Sequence, residues 1–268
     1  MSFLREFGAL YMDKRLTRAS AALSYFLTMT LFPFLIILYT MLGNSYDKAM
    51  RVLAFAKNFI AAESVDAIAE FLRYVAANNS TAMMIAAMLV LLTSASAAVR
   101  SLQATIGEMQ GGQHYQGLTG FVFSVIFSLL FVAAIYFAVL VMLTGREFIQ
   151  WLNGVLPFVD ISDSWNVLRF LVLAGIDYGI VWGIYAVSKR RVDTYPTGLG
   201  AVLATLAMVG VSIAFSLIIG ASARYPLVYG SLASVILLMF WLYTACLVIY
   251  CGAAVNIALS RVRAQDGE

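Results

Sequence analysis

Five stretches of the chain run without one Asp, Glu, Lys or Arg: Ala19–Tyr46, Tyr74–Val99, Met109–Gly145, Thr194–Ala223 and Tyr225–Ser260. A sixth apolar stretch, Val167–Val187, is broken only by Arg169 and Asp177. A bilayer's hydrocarbon core takes about 20 mostly apolar residues per helix. In lipid only a helix or a closed barrel satisfies its own backbone. Barrel strands alternate in polarity, and runs such as Met83–Leu92 do not. The sequence therefore predicts an all-α, polytopic membrane protein: a bundle of six transmembrane helices with short amphipathic helices at the interface. The spans fall at about 21–43, 78–99, 118–143, 167–187, 197–220 and 231–258, within a single membrane domain covering 1–268.

The bulk numbers agree. The chain is 62% hydrophobic and 12% charged, whereas a soluble domain is roughly half apolar and a quarter charged. A net charge of +3 gives no reason to expect a nucleic-acid partner. Cys246 and Cys251 lie five apart in the last span and match no metal or redox spacing. The first apolar run is too long for a cleavable signal core and reads as an uncleaved anchor.

Before the first span, Phe3, Leu4, Phe7, Leu10 and Tyr11 recur at helical spacing, an amphipathic helix lying on the membrane face. Lys14, Arg15 and Arg18 follow directly, which places the N-terminus in the cytoplasm. Six spans then return the C-terminus to the same side. The segment 47–75 carries Met50, Leu53, Ile60, Ile68, Phe71 and Leu72 at helical spacing and reads as one or two amphipathic helices over the outer face. Tyr39, Tyr46, Trp151, Trp165, Tyr225 and Tyr229 form an outer aromatic belt, and Tyr11, Tyr115, Tyr185 and Tyr195 an inner one.

Asp177 is the sharpest chemical feature. It stands at the middle of the fourth span, where a carboxylate costs about 2.5–3.5 kcal/mol. It should face the bundle interior or a wet cavity, or stay protonated. It reads either as a proton or substrate site or as a neutral carboxyl bonded to a neighbour. Pro33 lies midway along the first span and frees the carbonyl of Met29. With Tyr25, Tyr243 and Asn256, these two residues make up the candidate substrate or proton pathway. Lys189, Arg190 and Arg191 are topogenic charge or a contact for anionic lipid head groups. In the fifth span, Gly200 with Ala204 and Gly210 with Ala214 have the small-residue spacing that lets helices approach.

Signatures of catalysis are absent. His114 is the one histidine, and no GxxxxGK or GxSxG motif occurs. No catalytic residue, metal ligand or cofactor is expected. Membrane lipids are the expected partners, with a second copy of the chain or envelope proteins as further candidates.

In the C-terminal third, Tyr225, Tyr229-Gly230-Ser231-Leu232-Ala233-Ser234, Trp241-Leu242-Tyr243 and Gly252-Ala253-Ala254-Val255-Asn256 appear in order. Near the N-terminus stand Ala21-Ala22-Leu23-Ser24-Tyr25-Phe26 and Leu31-Phe32-Pro33. Pro196 with Gly200-Ala201 opens the fifth span. Together these blocks resemble the YihY/BrkB family of bacterial inner-membrane proteins, formerly labelled ribonuclease BN-like. The resemblance implies a six-span envelope protein linked to envelope integrity and lipid handling. It also implies structural roles for Tyr229, Gly230, Ser231, Trp241 and Gly252. Ala254 stands where the family usually has an acidic residue. The old label of tRNA-processing ribonuclease needs metal ligands that this sequence does not supply. The expectation is a protein of the cytoplasmic membrane that handles or transports a lipid or other hydrophobic or anionic substrate. The alternative is a non-transporting scaffold for envelope assembly.

Overall fold

The computed structural model describes residues 3–56, 62–111, 165–188, 197–221 and 232–266, with most of 122–140. All regular structure among them is helical. The helices are α1 Phe3–Asp13, α2 Leu16–Met41, α3 Tyr46–Ala56, α4 Ala62–Asn78, α5 Thr81–Met109, α6 Ser124–Leu140, α7 Trp165–Ser188, α8 Gly198–Ala221 and α9 Leu232–Asp266.

Local signals set several boundaries. Arg15 adopts a left-handed conformation (φ 48°) and separates α1 from α2. Gly43 and Asn44, also left-handed, end α2. Ser80 caps α5 by accepting a bond from the Met83 N–H at 3.2 Å. Gly111, at φ +74°, follows the end of α5. α2 runs unbroken through Pro33.

α2 and α5 pack antiparallel, with Thr30 bonded to Ser94 at 3.1 Å. α8 and α9 do the same, with Phe215 against Phe240 at one end and Gly200 against Gly252 at the other. At one end of the bundle, Arg261 of α9 pairs with Glu6 of α1 at 3.3 Å and donates to the Met109 carbonyl at 2.7 Å. This joins α1, the end of α5 and the end of α9, and its cation lies on the negative end of the α5 dipole. At the opposite end, α3 and α4 cover the end of α2. There Leu35, Leu38, Tyr39 and Leu42 are buried with Leu53, Val65, Ile68, Leu72 and Val75.

Among the described residues, five helices are long and apolar enough to cross a membrane: α2, α5, α7, α8 and α9. α6 is the third predicted span and is shorter as described. Its path still crosses the bundle. Ser128 lines a space shared with Leu23 and Leu102, Val132 packs on Ile37, Ala87 and Leu91, and Val139 is buried with the α3–α4 cluster. α5 ends and α8 begins at the α1 end, so the chain between them must cross an even number of times. Among the described residues, α6 and α7 are the apolar helices in that interval.

The outward faces are as apolar as the core. Leu89, Leu130, Leu171, Leu206 and Leu217 are 62–70% exposed. A face of this kind is stable against hydrocarbon and not against water.

Candidate functional site

Two of the family-like blocks, Gly200-Ala201 and Gly252–Asn256, meet at one junction of α7, α8 and α9. α8 opens at Gly198, so the Gly200 N–H is a first-turn donor with no acceptor in its own helix. Asn256, fully buried on α9, supplies one. Its Oδ1 accepts from Gly200 N–H at 2.7 Å, and its Nδ2 donates to the Thr197 carbonyl at 3.1 Å. A side chain 56 residues downstream thus acts as the cap of α8.

The backbones meet at the same point. A Cβ on Gly200 would strike the Gly252 carbonyl, and one on Gly252 would lie 2.7 Å from the Gly200 carbonyl and 2.9 Å from the Ala204 Cβ. It would also strike the Tyr185 hydroxyl, which donates to the Ile249 carbonyl at 2.6 Å. Tyr185 is 1% exposed. It belongs to this junction rather than to an inner aromatic belt. Tyr39 likewise is buried and donates to the Asn44 carbonyl at 2.9 Å. Ala254 is fully buried in the cluster beside the junction.

Asp177 is half-buried on α7. Its carboxyl lies against the Thr205 hydroxyl of α8. Thr205 is 8% exposed, and its Oγ1 completes no hydrogen bond of good geometry. The residues of the candidate pathway do not gather. Tyr25 is 50% exposed, Tyr243 stacks on Phe240 at 6.3 Å, Pro33 sits within α2, and both amide groups of Asn256 are engaged by α8. Trp241 Nε1 is buried without a partner. Lys189, Arg190, Arg191, Tyr229, Gly230, Ser231 and His114 lie outside the described residues.

A narrow cleft of about 80 Å3 lies between α2, α5, α6, α7 and α9. Its walls are almost wholly apolar, with Leu23, Leu27, Ala98, Leu102 and Ile249 among them, and the polar residues Thr30, Gln103, Ser128 and Ser188 border it chiefly through their carbon atoms. Asp177 is not among its lining residues. It stands seven positions before Ile184, roughly 10 Å along the helix. The sequence singled out none of these four polar residues. Each is an uncharged residue within an apolar run, and no local pattern marks it. Among the described residues, no three His, Cys, Asp or Glu side chains gather at metal-binding range.

The chain is 25% identical over 267 residues to the ribonuclease-like protein YfkH of Bacillus subtilis (strain 168), covering 97% of this chain and 96% of the relative. No solved structure matches. The profile of the family described as virulence factor BrkB spans residues 9–268, and the chain is a member of the BrkB family.

Proposed function

We propose that this is a multi-pass protein of the bacterial cytoplasmic membrane, with both termini cytoplasmic, that binds and handles a lipid or lipid-like substrate. The observation that carries the reading is the interior cleft. A predominantly apolar lining is usual for a small-molecule site, and this one suits a hydrocarbon chain. Here it lies within the bundle, where an acyl chain could enter from the surrounding lipid. The contact of α1 with the end of α9 supports termini on one side. Lys14, Arg15 and Arg18 beside α2 support that side being the cytoplasm.

The proposal contains no catalytic step. The word ribonuclease belongs to the Bacillus relative's name, and one histidine offers no metal centre of the kind nucleases use. The test is lipid retention. Protein purified in mild detergent should carry a lipid that survives delipidating washes. Leu27→Trp, which fills the cleft, should release it. Equal retention by wild type and Leu27→Trp would refute the reading.

A further inference from the structure

Asp177 shares one face of α7 with Val181, Ile184, Tyr185 and Ser188, which follow it at helical spacing. Those four are buried, whereas Asp177 is half-buried, as are Leu173 and Ala174 one turn before it. The face is closed from Asp177 toward the α1 end and looser toward the α3–α4 end. The lipid-facing side of α7 is elsewhere. Gly175 and Gly179 are exposed, nothing lies within 4 Å of a Cβ added to either, and both stand roughly half a turn round from Asp177. The carboxyl therefore does not look out into hydrocarbon. On the α1 side the junction seals it. A Cβ does not fit between Gly200 and Gly252, so neither does a water, and the Tyr185 hydroxyl is bonded to the Ile249 carbonyl beside them.

Thr205 is the second observation. Buried threonines in membrane helices ordinarily bond back to a carbonyl one turn earlier, as Thr28 does to Ser24 at 2.8 Å. Thr205 Oγ1 is buried and makes no such bond, and it lies against the Asp177 carboxyl. A hydroxyl suits both states of that group: it accepts from the neutral acid and donates to the carboxylate. Further along the same face of α8, Ser212 adds another buried hydroxyl toward the α3–α4 end. No residue of α8 is charged. Arg100 and Glu108 of α5 lie in its half nearer the α1 end, and Tyr136 of α6 packs with the α3–α4 cluster. The ionisable groups in electrostatic reach are Tyr185 and, beyond it, Cys251 of α9. One carboxyl and one hydroxyl are too few oxygens for a hard metal ion, which takes about six. We propose that Asp177 is a reversible proton-binding site: it takes its proton from water on the α3–α4 side, holds it against Thr205, and is sealed from the α1 side by the α7–α8–α9 junction. This goes beyond the lipid-handling reading and stands without it.

Two measurements test it on full-length protein in native membrane vesicles. Dicyclohexylcarbodiimide partitions into membranes and reacts with carboxyls in their protonated form. It should label Asp177 of the unmutated chain, read by peptide mass spectrometry, and Asp177→Asn should remove the label. The labelling rate should fall about tenfold for each pH unit above the site's midpoint, and added sodium should not protect. The second measurement is sidedness. In a chain carrying Cys246→Ala and Cys251→Ala, Asp177→Cys should react with a charged methanethiosulfonate only from the vesicle face opposite the one that exposes a cysteine at position 2. Val181→Cys, one turn nearer the α1 end, should react from neither face. The position-2 reference makes the result independent of which face is cytoplasmic. A carboxyl that stays unlabelled, a rate indifferent to pH, or protection by sodium would overturn the proton site. Reaction of Asp177→Cys from the position-2 face, or from neither, would overturn its sidedness. The carbodiimide measurement uses the unmutated chain, so a variant that fails to fold leaves the site still tested.

Discussion

Gly200 and Gly210 lie on one helix, and the same substitution should act on them with opposite signs. At Gly200 an added methyl points into the Gly252 carbonyl and stands 2.5 Å from Asn256 Nδ2. The obstacle is backbone on one side and a doubly bonded side chain on the other, so neither yields easily. Overpacking of this kind costs about 1–3 kcal/mol, and separating the helices also loosens the 2.7 Å bond between Gly200 and Asn256. At Gly210 nothing lies within 4 Å of the new Cβ. There Gly→Ala should stabilise by up to about 1 kcal/mol through helix propensity alone. Asn256→Ala attacks the same junction from α9. It strands the Gly200 N–H, at about 1–3 kcal/mol for an unmatched buried donor. Thr197 loses less, because its carbonyl still accepts from Ala201 N–H at 3.4 Å. Polar contacts between membrane helices average about 0.6 kcal/mol, which sets a floor. The expected loss for Asn256→Ala is about 1.5–3 kcal/mol. Reversible unfolding in mixed micelles of rising SDS content, followed by helical circular dichroism, measures all three variants. Equal midpoints for Gly200→Ala and Gly210→Ala, or a wild-type midpoint for Asn256→Ala, would refute the account of the junction.

Asp177→Asn should fold as wild type yet fail to complement an envelope-stress phenotype, if the carboxyl on Thr205 works by ionising; full complementation would remove that role. Arg261→Ala should loosen α1 by about 1 kcal/mol, the range of a part-exposed ion pair, with faster hydrogen exchange over residues 3–13 and little change in the core of α2 and α5; unchanged exchange in α1 would count against the clasp. Cysteines placed at positions 2 and 267 should resist an impermeant thiol reagent in intact cells. Labelling of one alone would contradict the even crossing number, and labelling of both would reverse the orientation.

The charge-free runs made the membrane class and most helices readable, because the bilayer imposes a length and a composition that need no knowledge of packing. The amphipathic spacing of 47–75 likewise foretold helices, and α3 and α4 stand there. Pairwise placement was not readable. Gly200 with Ala204 and Gly210 with Ala214 present the same spacing, yet the first pair meets α9 while Gly210 and Ala214 are exposed. Spacing states that a backbone could approach, and only the neighbouring helix decides whether one does. Tyr185 looked like any tyrosine near a span end, and its hydroxyl bond to Ile249 crosses 64 positions of sequence. The cleft was illegible for the same reason: its lining is drawn from five helices.

The cap on α8 also sets an order of events at the ribosome. Gly200 reaches the membrane 56 residues before Asn256. At 5–20 residues per second, the first turn of α8 waits roughly 3–11 s for its acceptor. Through that interval the helix is held by hydrophobicity and its packing on α7, with a frayed end open to whatever insertion factor attends it. A chain that stalls before α9 exposes that end indefinitely, so a complete junction is a local mark of a finished protein.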